Sequence, residues 1–320
     1  MQAENALITK DHSVDYTFVE WVEHWIEMTS LSKEETTAAQ YRHCLDRYIR
    51  SYFQNTSMQN VDENILQDFY DKLGPGGKQL STQTIHMVKC VLHQALTFAV
   101  NNRLLLYNPA DLVYTLNRSY NRCELLQEGL FNAILEKRFH HSYENFYPLL
   151  LLTTMRYGEC AGLTWDAMDF ESRTLRIRQQ LVEFSRNGHT VRSIKPYSKN
   201  HKTRVILLPE TACQFLKDQK ELQSQYRLKT VWDSPYNLVF TDPDGSMLKH
   251  YKVTRRFKSL AASYGMPNAT IHTLRHTGCS ILYHITNDIS LLREYAGHSS
   301  DGAANYYIHS LEMLKGVASL

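Results

Sequence analysis

Residues 272–280 read HTLRHTGCS, and the architecture of the second half of the chain turns on this run. His272 and Arg275 stand three apart, which makes them neighbours on one helical face. Thr270 or Thr273 supplies a start for that helix, and backbone N–H groups left open at a helix start favour an anion. A histidine at a helix start and an arginine in a salt bridge would give the same letters, so the run needs company. A zinc reading through His272, His276 and His298 has workable spacing, but no nearby cysteine or acid completes a ligand set.

Two further stretches supply the company. Upstream, TTMRYGECAGLTW (Thr153–Trp165) sets Arg156 directly after a buried apolar run, with Gly158 to break the helix and Glu159 near enough to orient the guanidinium. Downstream, YAGHSSDGAANYYIHS (Tyr295–Ser310) offers Gly297 as the end of a helix over 289–295, with His298 projecting from the turn. Two adjacent tyrosines follow, and neighbours on a helix point about 100° apart, so only one of Tyr306 and Tyr307 faces a group held by His298.

Charge is distributed unevenly around these motifs. The net balance is +2, yet residues 1–118 sum to −4 and residues 119–320 to +6. Phe184–Pro209 holds Arg186, Arg192, Lys195, Lys199, Lys202 and Arg204 without one acid, and Lys249, Lys252, Arg255, Arg256 and Lys258 form a second cluster. Basic clusters interleaved with Tyr, His and Ser suit a phosphate-rich partner.

Between the motifs lies a β signal. Thr174–Arg178 alternates polar and apolar, Arg204–Leu208 is β-rich and closed by Pro209, and Asn187-Gly188 marks a turn. Two or three antiparallel strands are predicted there. Helices precede them at Glu124–Arg138 and Phe146–Thr154, and the chain is again mainly helical from Thr211.

The first hundred residues read as a small bundle. Phe18, Val22, Trp25 and Ile26 recur at helical spacing, as do Tyr41, Leu45, Tyr48, Ile49 and Tyr52. Asp62 caps a third helix that stops at Gly74–Gly77, and Ser81 or Thr82 begins a fourth with Ile85, Val88, Leu92, Ala95, Leu96 and Ala99 on one stripe. The predicted fold is mainly α with a small antiparallel sheet, in a tail over 1–15, a helical domain over 16–112, a linker over 113–122 and a second domain over 123–320 with its own tail at 308–320.

Composition narrows the class. With 43% hydrophobic and 21% charged residues the chain reads as globular. Its longest apolar run, Tyr147–Met155, is too short for a bilayer, and the start lacks a signal-peptide pattern, so a cytoplasmic protein without membrane contact is expected. Six scattered cysteines without a CxxC pair read as reduced thiols, neither a disulfide frame nor a zinc site.

The order Arg156, a lysine-bearing turn, His272 and Arg275, Gly297-His298 and then tyrosine is far more specific than any member. In that order the second domain resembles the catalytic domain of tyrosine recombinases, the phage-integrase family of site-specific recombinases. The helical first domain is similar to that family's core-binding domain. The resemblance implies a C-shaped clamp on double-stranded DNA and strand cleavage through a phosphotyrosyl link, with no cofactor and no metal. It implies Arg156 and Arg275 on the scissile phosphate, His298 donating to it, and His272 assisting proton transfer. Glu159 matches the family's acid beside the first arginine, and Lys199, five residues before Arg204, matches the lysine that protonates the departing sugar oxygen. Lys195 and Lys202 are alternatives in a long hairpin.

The family's nucleophile lies nine residues after the histidine of Gly-His and is followed by one residue and a histidine. Tyr307, before Ile308-His309, fits both, and Tyr306 becomes a packing neighbour. The family carries glycine where Thr154 stands and leucine where Ala296 stands. Expected partners are a specific recombination site, three further protomers in a tetramer on synapsed DNA, and an accessory directionality factor. Leu311, Leu314 and Val317 or Leu320 give the tail an apolar face for docking on a neighbouring protomer. A DNA-binding regulator without catalysis and a type IB topoisomerase-like enzyme are the competing classes.

Overall fold

The computed structural model describes residues 16–75, 77–114, 124–137, 143–186, 188–196, 203–232 and 234–297. The chain divides near residue 121 into two units, each around its own core.

In the first unit, α1 (Phe18–Ser30) starts at a capping box. The Thr17 hydroxyl accepts from the Glu20 N–H while the Glu20 carboxylate accepts from the Thr17 N–H. Helix α2 (Glu35–Cys44) runs through one wide turn, Leu45–Ile49, into α3 (Arg50–Phe53). Asp62 caps α4 (Glu63–Leu73) by accepting from the Ile65 N–H at 2.8 Å. Ser81 caps α5 (Thr82–Asn101), whose apolar stripe from Ile85 to Ala99 is buried. The Phe18 and Phe69 rings lie 4.6 and 5.0 Å from that of Phe53, centroid to centroid. Trp21 Nε1 donates to the Ala95 carbonyl at 2.9 Å, tying α1 to α5.

The second unit opens with α6 (Glu128–Leu135), α7 (Phe146–Thr153) and the short α8 (Tyr157–Ala161). Five short strands follow: β1 (Met168–Asp169), β2 (Thr174–Ile177), β3 (Gln179–Arg186), β4 (His189–Pro196) and β5 (Arg204–Leu207). They form two antiparallel sheets, one in the order β1-β2-β5 and a β3-β4 hairpin. Two or three strands were the sequence expectation; β1 is only two residues long, too short to carry a period of two. The register pairs Leu175 with Ile206 and Ile177 with Arg204, and the apolar members face the core.

Helices α9 (Glu210–Lys229), α10 (His250–Ser263), α11 (Ile271–Thr286) and α12 (Ile289–Ala296) complete the unit. Thr270 is the N-cap of α11 and exchanges hydrogen bonds with Thr273, so both threonines at that start are used. Helix α11 packs directly on α7: a Cβ on Gly278 would stand 2.1 Å from the Leu151 carbonyl oxygen, which only glycine avoids. The chain is thus mainly α with small antiparallel sheets, the class read from the sequence. Among the described residues no helix is long and apolar enough to cross a membrane.

Candidate active site

Helix α12 ends at Gly297 in the left-handed conformation, φ 67° and ψ 46°. A helix end leaves its last carbonyls without partners inside the helix and carries partial negative charge. Here three successive carbonyls accept from three different arginines. Tyr295 O takes Arg204 Nε at 2.9 Å, Ala296 O takes Arg275 Nη2 at 2.8 Å, and Gly297 O takes Arg156 Nη2 at 2.8 Å.

Arg156 arrives from the turn after α7. That helix is ended by Thr154, left-handed at φ 52°, a conformation that glycine adopts without strain and other residues rarely do. The sequence reading placed the break at Gly158. It falls four residues earlier, and Gly158 sits inside α8. Arg156 is then extended at the start of α8, its backbone N–H donating to Glu159 Oε2 at 2.8 Å and its Nη1 to Oε1 at 3.0 Å.

Glu159 is fully buried and receives a second guanidinium. Arg204 donates Nη1 to Oε1 at 3.1 Å and Nη2 to Oε2 at 2.7 Å, the two-pronged geometry that matches a carboxylate. Arg275, 2% exposed, also donates Nη1 to the Thr154 carbonyl, so it ties the end of α7 to the end of α12. His272 lies one turn before Arg275 with its ring edge-on to His276, centroids 4.2 Å apart. His272 as a residue is exposed; partial loss of water around its ring, and then the charges of Arg275 and Arg156, hold its imidazole below the ordinary histidine range. A neutral imidazole at neutral pH is ready to accept a proton.

Of the predicted set, Arg156 and Arg275 are brought together on the end of α12, Glu159 is bonded to Arg156, and His272 stands one turn before Arg275, close enough to feel the charges of both arginines. Lys195, an alternative to Lys199, lies on β4 and is partly buried. Lys199, Lys202, His298, Tyr306, Tyr307 and the tail over 308–320 lie outside the described residues, as do residues 1–15 and most of the expected linker. Among the described residues no group of three or more His, Cys, Asp or Glu is placed to hold a metal ion.

Arg204 is the member that sequence reasoning missed, having used it as one of a basic cluster, as a strand start and as a ruler for Lys199, and not as part of the site. A signal was present. Alternation along β5 puts Arg204 on the same face as the buried Ile206 and Leu208, and a charge on an inward face needs a partner. Two guanidiniums on adjacent carbonyls beside a neutral imidazole make a cationic cluster suited to charge developing on a phosphate.

Comparison with known proteins gives the following. The family model for the phage integrase family matches residues 127–313, and that for the phage integrase N-terminal SAM-like domain matches residues 17–74. A XerC-like tyrosine recombinase of Caldanaerobacter subterraneus subsp. tengcongensis is 24% identical over 325 residues, covering 94% of this chain and 81% of the relative. The ICEBs1 integrase of Bacillus subtilis is 22% identical over 264 residues, covering 81% of this chain and 69% of the relative. Among solved structures, the Tn1549 transposon integrase in complex with transposon right end DNA superposes with a TM-score of 0.78 at 19% identity, over 95% of this chain and 100% of that one. A lambda integrase tetramer bound to a Holliday junction gives 0.66 at 15% identity, over 92% and 78%.

Proposed function

Since the chain belongs to the phage integrase family, we propose that it is a site-specific tyrosine recombinase, cutting and rejoining DNA strands for a mobile element. The observation that carries this reading is the anchoring of Arg156 and Arg275 on the adjacent carbonyls of Gly297 and Ala296, at the helix end that leads into His298. Guanidiniums so fixed need no reorganisation when charge grows on the non-bridging oxygens of a phosphate. The partner is double-stranded DNA, and the working assembly is a tetramer on two synapsed sites.

In this mechanism the Tyr307 hydroxyl attacks the scissile phosphorus and gives its proton to His272. The bond to the departing sugar oxygen breaks as Lys199 protonates that oxygen, leaving a phosphotyrosyl bond to the cut strand. A sugar hydroxyl then attacks the phosphorus and gives its proton to Lys199, the bond to Tyr307 breaks as His272 returns a proton to the tyrosine oxygen, and the strand is rejoined. Tyrosine is a poor nucleophile at its free pKa of roughly 10, so the surrounding cations and the neutral His272 supply the activation.

The test is a nicked duplex drawn from the DNA flanking the gene, on which a cut strand loses its religating end and the covalent species accumulates. Wild type and Tyr306→Phe should give a protein–DNA band on a denaturing gel, in EDTA as well as without it, and Tyr307→Phe none. A band from Tyr307→Phe would overturn the assignment of the nucleophile. Binding of that duplex without any wild-type band would instead support a regulator that has lost catalysis.

A further inference from the structure

We propose that Arg204 is a third arginine of this site, a positioning residue that cancels the charge of Glu159 and so leaves the charge of Arg156 for the DNA phosphate. The inference rests on the recombinase reading above and adds to it a residue that does not touch DNA.

The geometry is a buried three-body arrangement. Each oxygen of Glu159 is shared: Oε1 accepts from Arg156 Nη1 and Arg204 Nη1, and Oε2 accepts from the Arg156 backbone N–H and Arg204 Nη2. The carboxylate side chain is 0% exposed, that of Arg204 9%, and that of Arg156 39%. A buried carboxylate requires one compensating charge. Arg204, the more buried partner, supplies it through two prongs, so the cluster keeps one net positive charge on its solvent-facing member. Without Arg204, Arg156 and Glu159 would close into a neutral pair. The guanidinium meant for the phosphate would then be cancelled from behind.

Arg204 also fixes where the chain leaves α12. Its Nε holds the Tyr295 carbonyl, and the Tyr295 hydroxyl donates to the Leu207 carbonyl at 3.0 Å, a second link from α12 to β5. A Cβ on Gly297 would stand 2.7 Å from Arg204 Nη1, so the guanidinium lies directly under the turn that precedes His298. Strand β5 begins with Arg204 itself, next to the lysine-bearing segment 197–202. One side chain thus links β5, the first arginine and the end of α12.

The experiment compares single-turnover formation of the covalent adduct, on the nicked duplex described above, with the affinity for that duplex. Arg204→Met is expected to keep DNA affinity and to lose roughly 100-fold in rate, the scale of a misplaced catalytic group. Adding Glu159→Gln removes the carboxylate that captures Arg156, and the double variant is expected to regain at least about tenfold of that loss. A purely structural role would not be rescued by removing a second partner. An Arg204→Met rate within about threefold of wild type, or a double variant no faster than the single one, overturns the proposal.

Should Arg204→Met fail to fold, Arg204→Lys and the double variant carry the test, since the first keeps a cation beside Glu159 and the second removes its charge. Both within about tenfold of wild type support the proposal, and either slowed by about 100-fold overturns it. A wild-type chain that forms no adduct fails the recombinase reading. A wild-type adduct with an unaffected Arg204→Met fails this inference alone.

Discussion

The two units bury opposite kinds of core. In the first, Asn108 is the single buried polar side chain, apart from aromatic ones, among the described residues, and the interior is aliphatic and aromatic. The second buries Glu159, Asp242 and Arg275 together with Asn145, Gln219 and Gln223. Taking a charge out of water costs several kcal/mol even after relaxation, so the second unit is not stabilised by containing more of them. What its buried charges gain is fixed position. Glu159 and Arg275 converge on the end of α12, while Asp242 accepts from Tyr143 and Lys252, each at 3.0 Å, at the approach to α10. The first unit is organised for cohesion, the second for holding charge still.

The sharpest way to break this contrast is Arg275→Ala. It removes a guanidinium from the proposed phosphate site and strips two carbonyls, Thr154 O and Ala296 O, of their donor. Adduct formation should fall by about 100- to 1000-fold, the range for one lost oxyanion donor. Unfolding free energy should drop as well, by about 1–3 kcal/mol for each carbonyl left buried and unpaired. Single-turnover gels and urea titration measure the two losses separately. A loss of stability alone would mean that Arg275 is only a strut, and the contrast between the units would collapse to one of composition.

Phe53→Ala is the matching probe of the apolar unit. Phe53 is 0% exposed and sits between the rings of Phe18 and Phe69. Truncating such a ring costs about 3–5 kcal/mol, transfer and cavity together. The urea midpoint should fall accordingly, while the adduct rate per folded molecule stays unchanged. A fall in that intrinsic rate would show the apolar core to be setting site geometry.

This difference also explains what was legible in the sequence. Apolar cores announce themselves by period, so Ile85 to Ala99 and the caps at Asp62 and Ser81 were read directly, as was Gly297 at the end of α12. Arg156, His272 and Arg275 were singled out by their order along the chain, a signal that survives distance. Arg204 was not recognised because its partners lie 45 and 91 residues away, and one of them is a backbone carbonyl, which no side-chain pattern encodes. The helix break at Thr154 was missed for a related reason: a left-handed residue other than glycine has no strong sequence mark.

The smallest expected effect sharpens the contrast most economically, because it uses the same chemistry at the surface. Arg50 in the first unit bridges two carboxylates, Glu23 at 2.5 Å and Asp46 at 2.9 Å, where Glu159 is the carboxylate that Arg204 meets among the described residues. Counted as contacts, Arg50 should matter more. Its side chain is 43% exposed, however, and those of Glu23 and Asp46 are 41% and 65% exposed. Water solvates all three charges when the pairs open, and each pair contributes only about 0.2–1 kcal/mol. Arg50→Met should therefore shift unfolding free energy by about 2 kcal/mol at most, and the shift should shrink in 1 M salt, where the Debye length is about 3 Å. Arg204→Met leaves the buried Glu159 carboxylate with Arg156 as its remaining charged partner, so a loss of up to about 3–5 kcal/mol is expected, with little response to salt. Urea titrations of both variants at low and high salt make the comparison. Equal, salt-sensitive shifts would mean that burial does not separate the two arginines, and the distinction drawn between the units would fail at its most direct point.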